Sequence, residues 1–151
     1  MKSDLSIEVL MAIHSTQMRE DALAIFAAGL AAVEPQNAVF NHLRRQDDNL
    51  FIGDTLLELP AKGRIFLTGL GKAAGPMAAA VEQVVGDRLE RGLVVTKYGH
   101  HYPLKKTGLL EAGHPVPDAA GLAACSEIEA LLSEAGEDDL VIVVISGGGS
   151  A

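Results

Sequence analysis

The sequence predicts an α/β fold in three layers: a mostly parallel, Rossmann-like sheet with helices on both faces, preceded by a helical lead-in. Three observations carry that expectation. Short, almost wholly apolar runs (64–68, 92–97 and 140–145) alternate with Ala- and Leu-rich stretches of helical period. A strand covered on both faces meets no water on either side, so it reads as a continuous apolar run rather than an alternation. Two of these runs enter glycine-rich turns, Gly69-Leu70-Gly71 and Ser146-Gly147-Gly148-Gly149-Ser150, as a strand handing over to a helix would. The composition agrees: 48% hydrophobic residues, 21% charged and no Trp leave a core of Ala, Leu, Val and Ile.

Each element follows in order. Residues from about Ser15 to Val33 read as a helix capped by Ser15 or Thr16. Glu20 and Asp21 suit its positive end, and Leu23, Phe26, Ala27 and Leu30 lie at helical spacing. A second, short helix is expected from Pro35 through Val39, Phe40 and Leu43 to Arg44 or Arg45, with Gln46–Asn49 as a polar loop. Leu50–Ile52 and Thr55–Leu59 flank Gly53-Asp54 as a hairpin. The run at 64–68 is the first buried strand, and Lys72–Val85 the small-residue helix after it. Gly92–Lys97 is the second strand and Leu109–Ala112 the third. Pro117-Asp118 opens a helix to about Ala135, with Leu122, Cys125, Ile128 and Leu132 on one face, and Gly136 ends it. Leu140–Ile145 is the most β-branched segment. It enters its glycine turn with no helix to follow, so the expectation is an incomplete domain belonging to a longer enzyme.

Charge and cysteine content remove several function classes. A net charge of −8, with no basic stripe, lacks the clustered cations that nucleic acid demands. The lone Cys125 cannot form an internal disulfide, and its apolar helical setting predicts a buried structural thiol. Ala22–Val33 carries no charge but offers only about 12 residues of the roughly 20 a spanning helix needs. An acid at Asp4 argues against a secretory leader. The expected setting is the cytoplasm, with no membrane partner, and the oligomeric state is left open.

Three motifs could carry chemistry. In Gly69-Leu70-Gly71-Lys72-Ala73-Ala74 the glycines permit a tight turn and close approach of the backbone to a ligand. Lys72 at a helix start gains nothing from the dipole, so an anionic ligand is the natural reason for it. The same six residues fit a dinucleotide fingerprint. The next strand, however, ends in Thr96-Lys97-Tyr98 rather than an acid, which leaves an NAD(P)H-dependent reductase as the alternative. In Ser146–Ser150, three glycines free the amides and the flanking hydroxyls add donors; the lysine of a Walker loop is absent. The third motif, around Lys97, His100, His101, Glu111, His114 and Asp118, matches no zinc spacing and predicts no metal site. His114 either reaches a ligand or caps the following helix, and Asp118 reads as a helix cap.

The segment from Gly69 to Ala151 resembles the glycerate 2-kinases whose full members carry a C-terminal MOFRL domain, often labelled hydroxypyruvate reductases. The matching residues are Gly69–Ala73, Val94–His100, Glu111–Asp118 and Ile145–Ala151, several separate motifs in the same order. The first sixty residues match only as a helical lead-in. The resemblance implies ATP-dependent phosphorylation of D-glycerate to 2-phosphoglycerate with Mg2+ or another divalent cation. It implies that 1–151 is the N-terminal part of a Rossmann-like kinase domain whose remainder and MOFRL domain are absent. The 151 residues alone would then be inactive. Lys72 would stabilise charge on the moving phosphoryl group. Gly69, Gly71 and the helix amides, with Ser146, Gly147, Gly148, Gly149 and Ser150, would hold phosphate or carboxylate, and Lys97 and His114 would contact substrate. A further reading, from a different class, is a non-catalytic small-anion-binding module.

Overall fold

The computed structural model describes the backbone of residues 4–60 and 62–147, with side chains from Thr16 onward. The chain divides into two units, one up to Glu34 and one from Pro35. The first unit is helix α1 (Asp4–Ala32). It begins well before the predicted cap at Ser15, because residues 4–14 contain neither Gly nor Pro to stop it. Gln17 Nε2 donates to Asp21 Oδ1 one turn on, at 2.8 Å. Met18, Leu23, Phe26 and Leu30 are all exposed.

The second unit opens with helix α2 (Pro35–His42), whose Val39 is buried. The helix stops earlier than predicted. Leu43–Gln46 forms strand β1, paired antiparallel with β2 (Asn49–Ile52), which pairs in turn with β3 (Thr55–Glu58). The β2–β3 hairpin is the one read from Gly53-Asp54; Ile52 faces Thr55 and Gly53 has φ +58°. The extra strand has a tertiary cause. Leu43 and Leu50 enter the core, Arg44 lies over the Phe51 ring across the pair, and Arg45 donates to the Val85 carbonyl and to Asp87.

The main sheet contains β4 (Ile65–Leu70), β5 (Leu89–Lys97), β6 (Thr107–Ala112) and β7 (Leu140–Ile145), all parallel, in the spatial order β6-β5-β4-β7. Helix α3 (Ala74–Val85) links β4 to β5, and α4 (Ala119–Leu132) links β6 to β7. The two helices cover opposite faces. Ile65, Leu67, Val94 and Val144 share a cluster with Ala78, Val81 and Val85 of α3, while Leu93, which points the other way, lies beside Ala130 and Leu131 of α4. The predicted three-layer architecture is therefore the observed one.

Two features of the predicted helices are corrected. Helix α3 begins at Ala74, so Lys72 lies in the turn before it rather than in its first turn. Helix α4 buries Ala124 and Leu131 while Leu122 and Cys125 are exposed. Gly121 faces Ala112 of β6, where an added Cβ would lie in ordinary contact, 3.6 Å from the alanine methyl. The face turned to the sheet carries Ala124, Leu131 and the half-buried Ile128, one turn apart, which leaves Leu122 and Cys125 on the outward side.

Two buried polar anchors tie these layers together. Glu82 of α3 accepts hydrogen bonds from three successive backbone N–H groups, of Lys105 (2.9 Å), Lys106 (2.8 Å) and Thr107 (2.7 Å), at the start of β6. Asp139, before β7, accepts from the Arg64 backbone (2.7 Å), the Arg64 guanidinium (2.7 Å) and the Gly136 N–H (2.8 Å). One carboxylate thereby sets the start of β6 and the other aligns the starts of β4 and β7.

Candidate anion-binding site

The strand order fixes where a site can form. Numbered along the chain, the four parallel strands run third, second, first, fourth across the sheet, so the chain moves outward from β4 through β5 to β6 and then, by way of α4, reverses to the other side of β4 to form β7. Ligands of open α/β sheets bind at the carboxyl ends of the strands, at the crevice such a reversal opens. The two glycine turns meet there. Leu70 and Ile145 are the last paired residues of β4 and β7, and the Ser146 N–H donates to the Leu70 carbonyl at 3.1 Å. On the other side the Gly71 N–H donates to the Val95 carbonyl of β5 at 3.0 Å.

Glycine is required on this rim for two separate reasons. Gly71 has φ +105°, a conformation L side chains rarely adopt, and a Cβ there would overlap the Ser146 hydroxyl. Gly69 lies inside β4 and is buried; a Cβ there would overlap the Val144 backbone of β7. The structure thus corrects the expectation for Gly69. It does not line the hollow, and its missing side chain lets the two strands that carry the turns come together.

A hollow of about 270 Å³ opens over these strand ends. Gly71, Lys72, Lys97, His114, Ser146 and Gly147 all line it, with Leu70, Val95 and two prolines as its apolar wall. Six of the residues singled out from sequence are thus brought together from four loops. Gly148, Gly149 and Ser150 lie outside the described residues. Thr96 and Gly113 also line the hollow and escaped the sequence reading, although their positions at the ends of β5 and β6 point to this rim.

The electrostatics of the hollow are one-sided. Its lining includes two lysines and a histidine and no carboxylate, on a chain of net charge −8. Among the described residues neither Lys72 nor Lys97 has an ion-pair partner; the ion pairs lie elsewhere, as between Arg45 and Asp87 or Arg64 and Asp139. No side chain caps the start of α3 beside Lys72. An uncapped helix start with a cation next to it gathers positive potential that an anion would relieve.

The nearby acids are turned to other work. Glu111 Oε1 accepts from the Gly99 N–H at 2.9 Å. Asp118, the cap of α4, accepts from the Gly121 N–H at 3.0 Å and from the Tyr98 hydroxyl at 2.7 Å. The Tyr98 hydroxyl and the Gly121 and Gly113 amides hold the Asp118 carboxyl below the usual carboxylate range, and Asp118 in turn raises the Tyr98 phenol. Among the described residues no group of three His, Cys, Asp or Glu is placed to hold a metal ion. The described part of the hollow therefore suits phosphate or carboxylate and does not supply a protein ligand set for Mg2+. No single described helix is long and apolar enough to cross a membrane.

The chain is similar to known proteins over most of its length. A family model described as "Domain of unknown function (DUF4147)" matches residues 21–151. The chain is 38% identical over 134 residues to a protein of Pyrococcus horikoshii named glycerate 2-kinase, covering 89% of this chain and 30% of that protein. It is also 38% identical over 141 residues to an Agrobacterium vitis protein with a provisional hydroxypyruvate reductase name, covering 93% of this chain and 29% of that one. Among solved structures, the Thermotoga maritima glycerate kinase superposes with a TM-score of 0.69 at 33% identity, over 89% of this chain and 30% of that one. The chain thus spans about 30% of the length of the relatives it matches.

Proposed function

Because the chain belongs to the DUF4147 family, and because relatives matching most of its length are named glycerate kinases, we propose that its hollow binds the anionic groups exchanged in ATP-dependent phosphorylation of D-glycerate. The observation that carries this reading is the convergence of Lys72, Lys97 and His114 with the turns after β4 and β7 on one hollow free of carboxylates. ATP would supply the phosphoryl group. Phosphoryl transfer needs positioning and cationic contacts on the moving group more than covalent participation by the protein. Lys72 is the residue assigned to that charge. The backbone at Gly71 and the turn through Ser146 and Gly147 would hold phosphate or the glycerate carboxylate, and Lys97 and His114 would orient the substrate. A divalent cation would take its ligands from phosphate oxygens and from groups outside the described residues.

The relative named for hydroxypyruvate reduction sets up the direct test. The protein at its full natural length is supplied with D-glycerate and ATP in one arm, and with hydroxypyruvate and NADPH in the other. Formation of 2-phosphoglycerate in the first arm is expected. NADPH oxidation in the second, with no ATP-dependent product in the first, would replace the kinase reading with the reductase.

A further inference from the structure

Lys97 is the last residue of β5, paired in register with Ala112 at the end of β6, and His114 stands on the loop that follows β6. The ladder fixes the start of that loop, and a hollow that must grip a small anion needs the rest of it held against the turn after Lys97. The residue after Lys97 is Tyr98. Its backbone N–H donates to the Ala112 carbonyl at the end of β6 (3.2 Å), and its hydroxyl donates to Asp118 Oδ2 (2.7 Å) beyond His114. The next residue, Gly99, donates its N–H to Glu111 Oε1 (2.9 Å), so the same two loops are joined again. Asp118 also receives the Gly121 N–H (3.0 Å), which anchors the far side of the His114 loop to the start of α4. Gly113 is pressed against this carboxylate: an added Cβ would sit 3.0 Å from Asp118 Cγ and 2.6 Å from the Val116 carbonyl oxygen.

We infer that Tyr98, Asp118 and Glu111 form a clasp behind the hollow that sets the spacing of Lys97 and His114, making them positioning residues for the anion. None of the three lines the hollow. Their placement also argues against a general stabilising role. Tyr98 is 53% exposed, and a hydrogen bond at such a site adds little to global stability. Its value is local, in removing freedom from two loops before a ligand arrives, so that binding does not have to order them.

The inference rests on the anion-binding reading of the hollow, and the experiment separates the two. Inorganic phosphate is titrated against the full chain while the His114 imidazole is followed by NMR, for wild type, Tyr98→Phe, Asp118→Asn and Asp118→Ala. Wild type is expected to saturate. Tyr98→Phe should bind about fivefold more weakly with a melting temperature within about 2 °C of wild type, since it loses one exposed hydrogen bond. Asp118→Asn, whose amide oxygen still accepts from the Gly121 N–H and whose NH2 can donate to the Tyr98 hydroxyl oxygen in a reversed bond, should retain most of the affinity that Asp118→Ala loses. If Asp118→Ala fails to fold, Tyr98→Phe decides alone. Equal phosphate affinity in wild type and Tyr98→Phe would overturn the clasp while leaving the anion site standing. No His114 response in wild type would bring down both. Phosphate binding without glycerate kinase activity in the full-length protein would remove the kinase reading and leave the clasp intact.

Discussion

At the scale of single residues, the groups placed to meet an anion differ from the groups that let the rim exist. Lys72 is exposed, uncapped and without an acid partner among the described residues, so its charge is available to a ligand. On the proposed kinase reading, Lys72→Ala in the full-length protein is expected to lower kcat by on the order of 100-fold or more with a much smaller change in KM, because charge on a moving phosphoryl group is greatest in the transition state. Steady-state kinetics with D-glycerate and ATP checks this; an unchanged kcat would remove Lys72 from that role. Gly71 acts differently. Gly71→Ala would need a backbone at φ +105° and would collide with Ser146. The expected cost is about 2 kcal/mol or more of stability, together with loss of the phosphate response. Thermal melting alongside the titration separates the two effects.

At the scale of elements, buried carboxylates set where strands begin, and that makes stability depend on acid. Burial alone would push the Glu82 carboxyl up, but the N–H groups of Lys105, Lys106 and Thr107 outweigh it and the net direction is down. The Arg64 guanidinium, joined by the Gly136 and Arg64 amides, holds Asp139 far below the usual carboxylate range. Both folded values lie below the unfolded ones of about 4. Their stabilisation is therefore complete above that pH and is lost as pH falls through the folded values. Glu82→Gln is expected to lower stability by about 2 kcal/mol, or about 5 °C in melting temperature at neutral pH, with a flatter dependence below pH 5. Asp139→Asn should flatten the acid limb in the same way. An acid limb as steep as in wild type would contradict both assignments.

Local pattern reached some elements and not others, for reasons visible in particular residues. The apolar runs of β4, β5 and β7 and the Gly53-Asp54 hairpin were legible because their signals are local: buried strands are apolar throughout, and a two-residue turn has its own chemistry. Strand β1 was not, because Leu43–Gln46 becomes a strand only when Leu43 finds the core and Arg45 finds Val85. The buried face of α4 is offset from the one that spacing alone predicts, because Ala124, Ile128 and Leu131 meet the sheet while Leu122 and Cys125 face outward, a choice made by tertiary packing. Within the site, the glycine turns, Lys72, Lys97 and His114 could be found from sequence. The clasp behind them could not, since Tyr98 and Asp118 meet only across two folded loops.

At the scale of the whole molecule, the strand order does the organising. The first and fourth parallel strands are neighbours in space though far apart in sequence, and that adjacency brings the turn after Gly69 and the turn at Ser146 to one rim. A βα unit alone offers one glycine turn at a helix start; the return of the chain to the other side of β4 places the turn after β7 beside it. The central claim is that these two turns hold one anion. It is tested by titrating inorganic phosphate against the isotope-labelled chain and following the backbone amides of Gly71, Lys72, Ala73, Ser146 and Gly147. The account predicts that all five shift together with a single dissociation constant. Independent constants for the two turns, or a response from one turn alone, would contradict it.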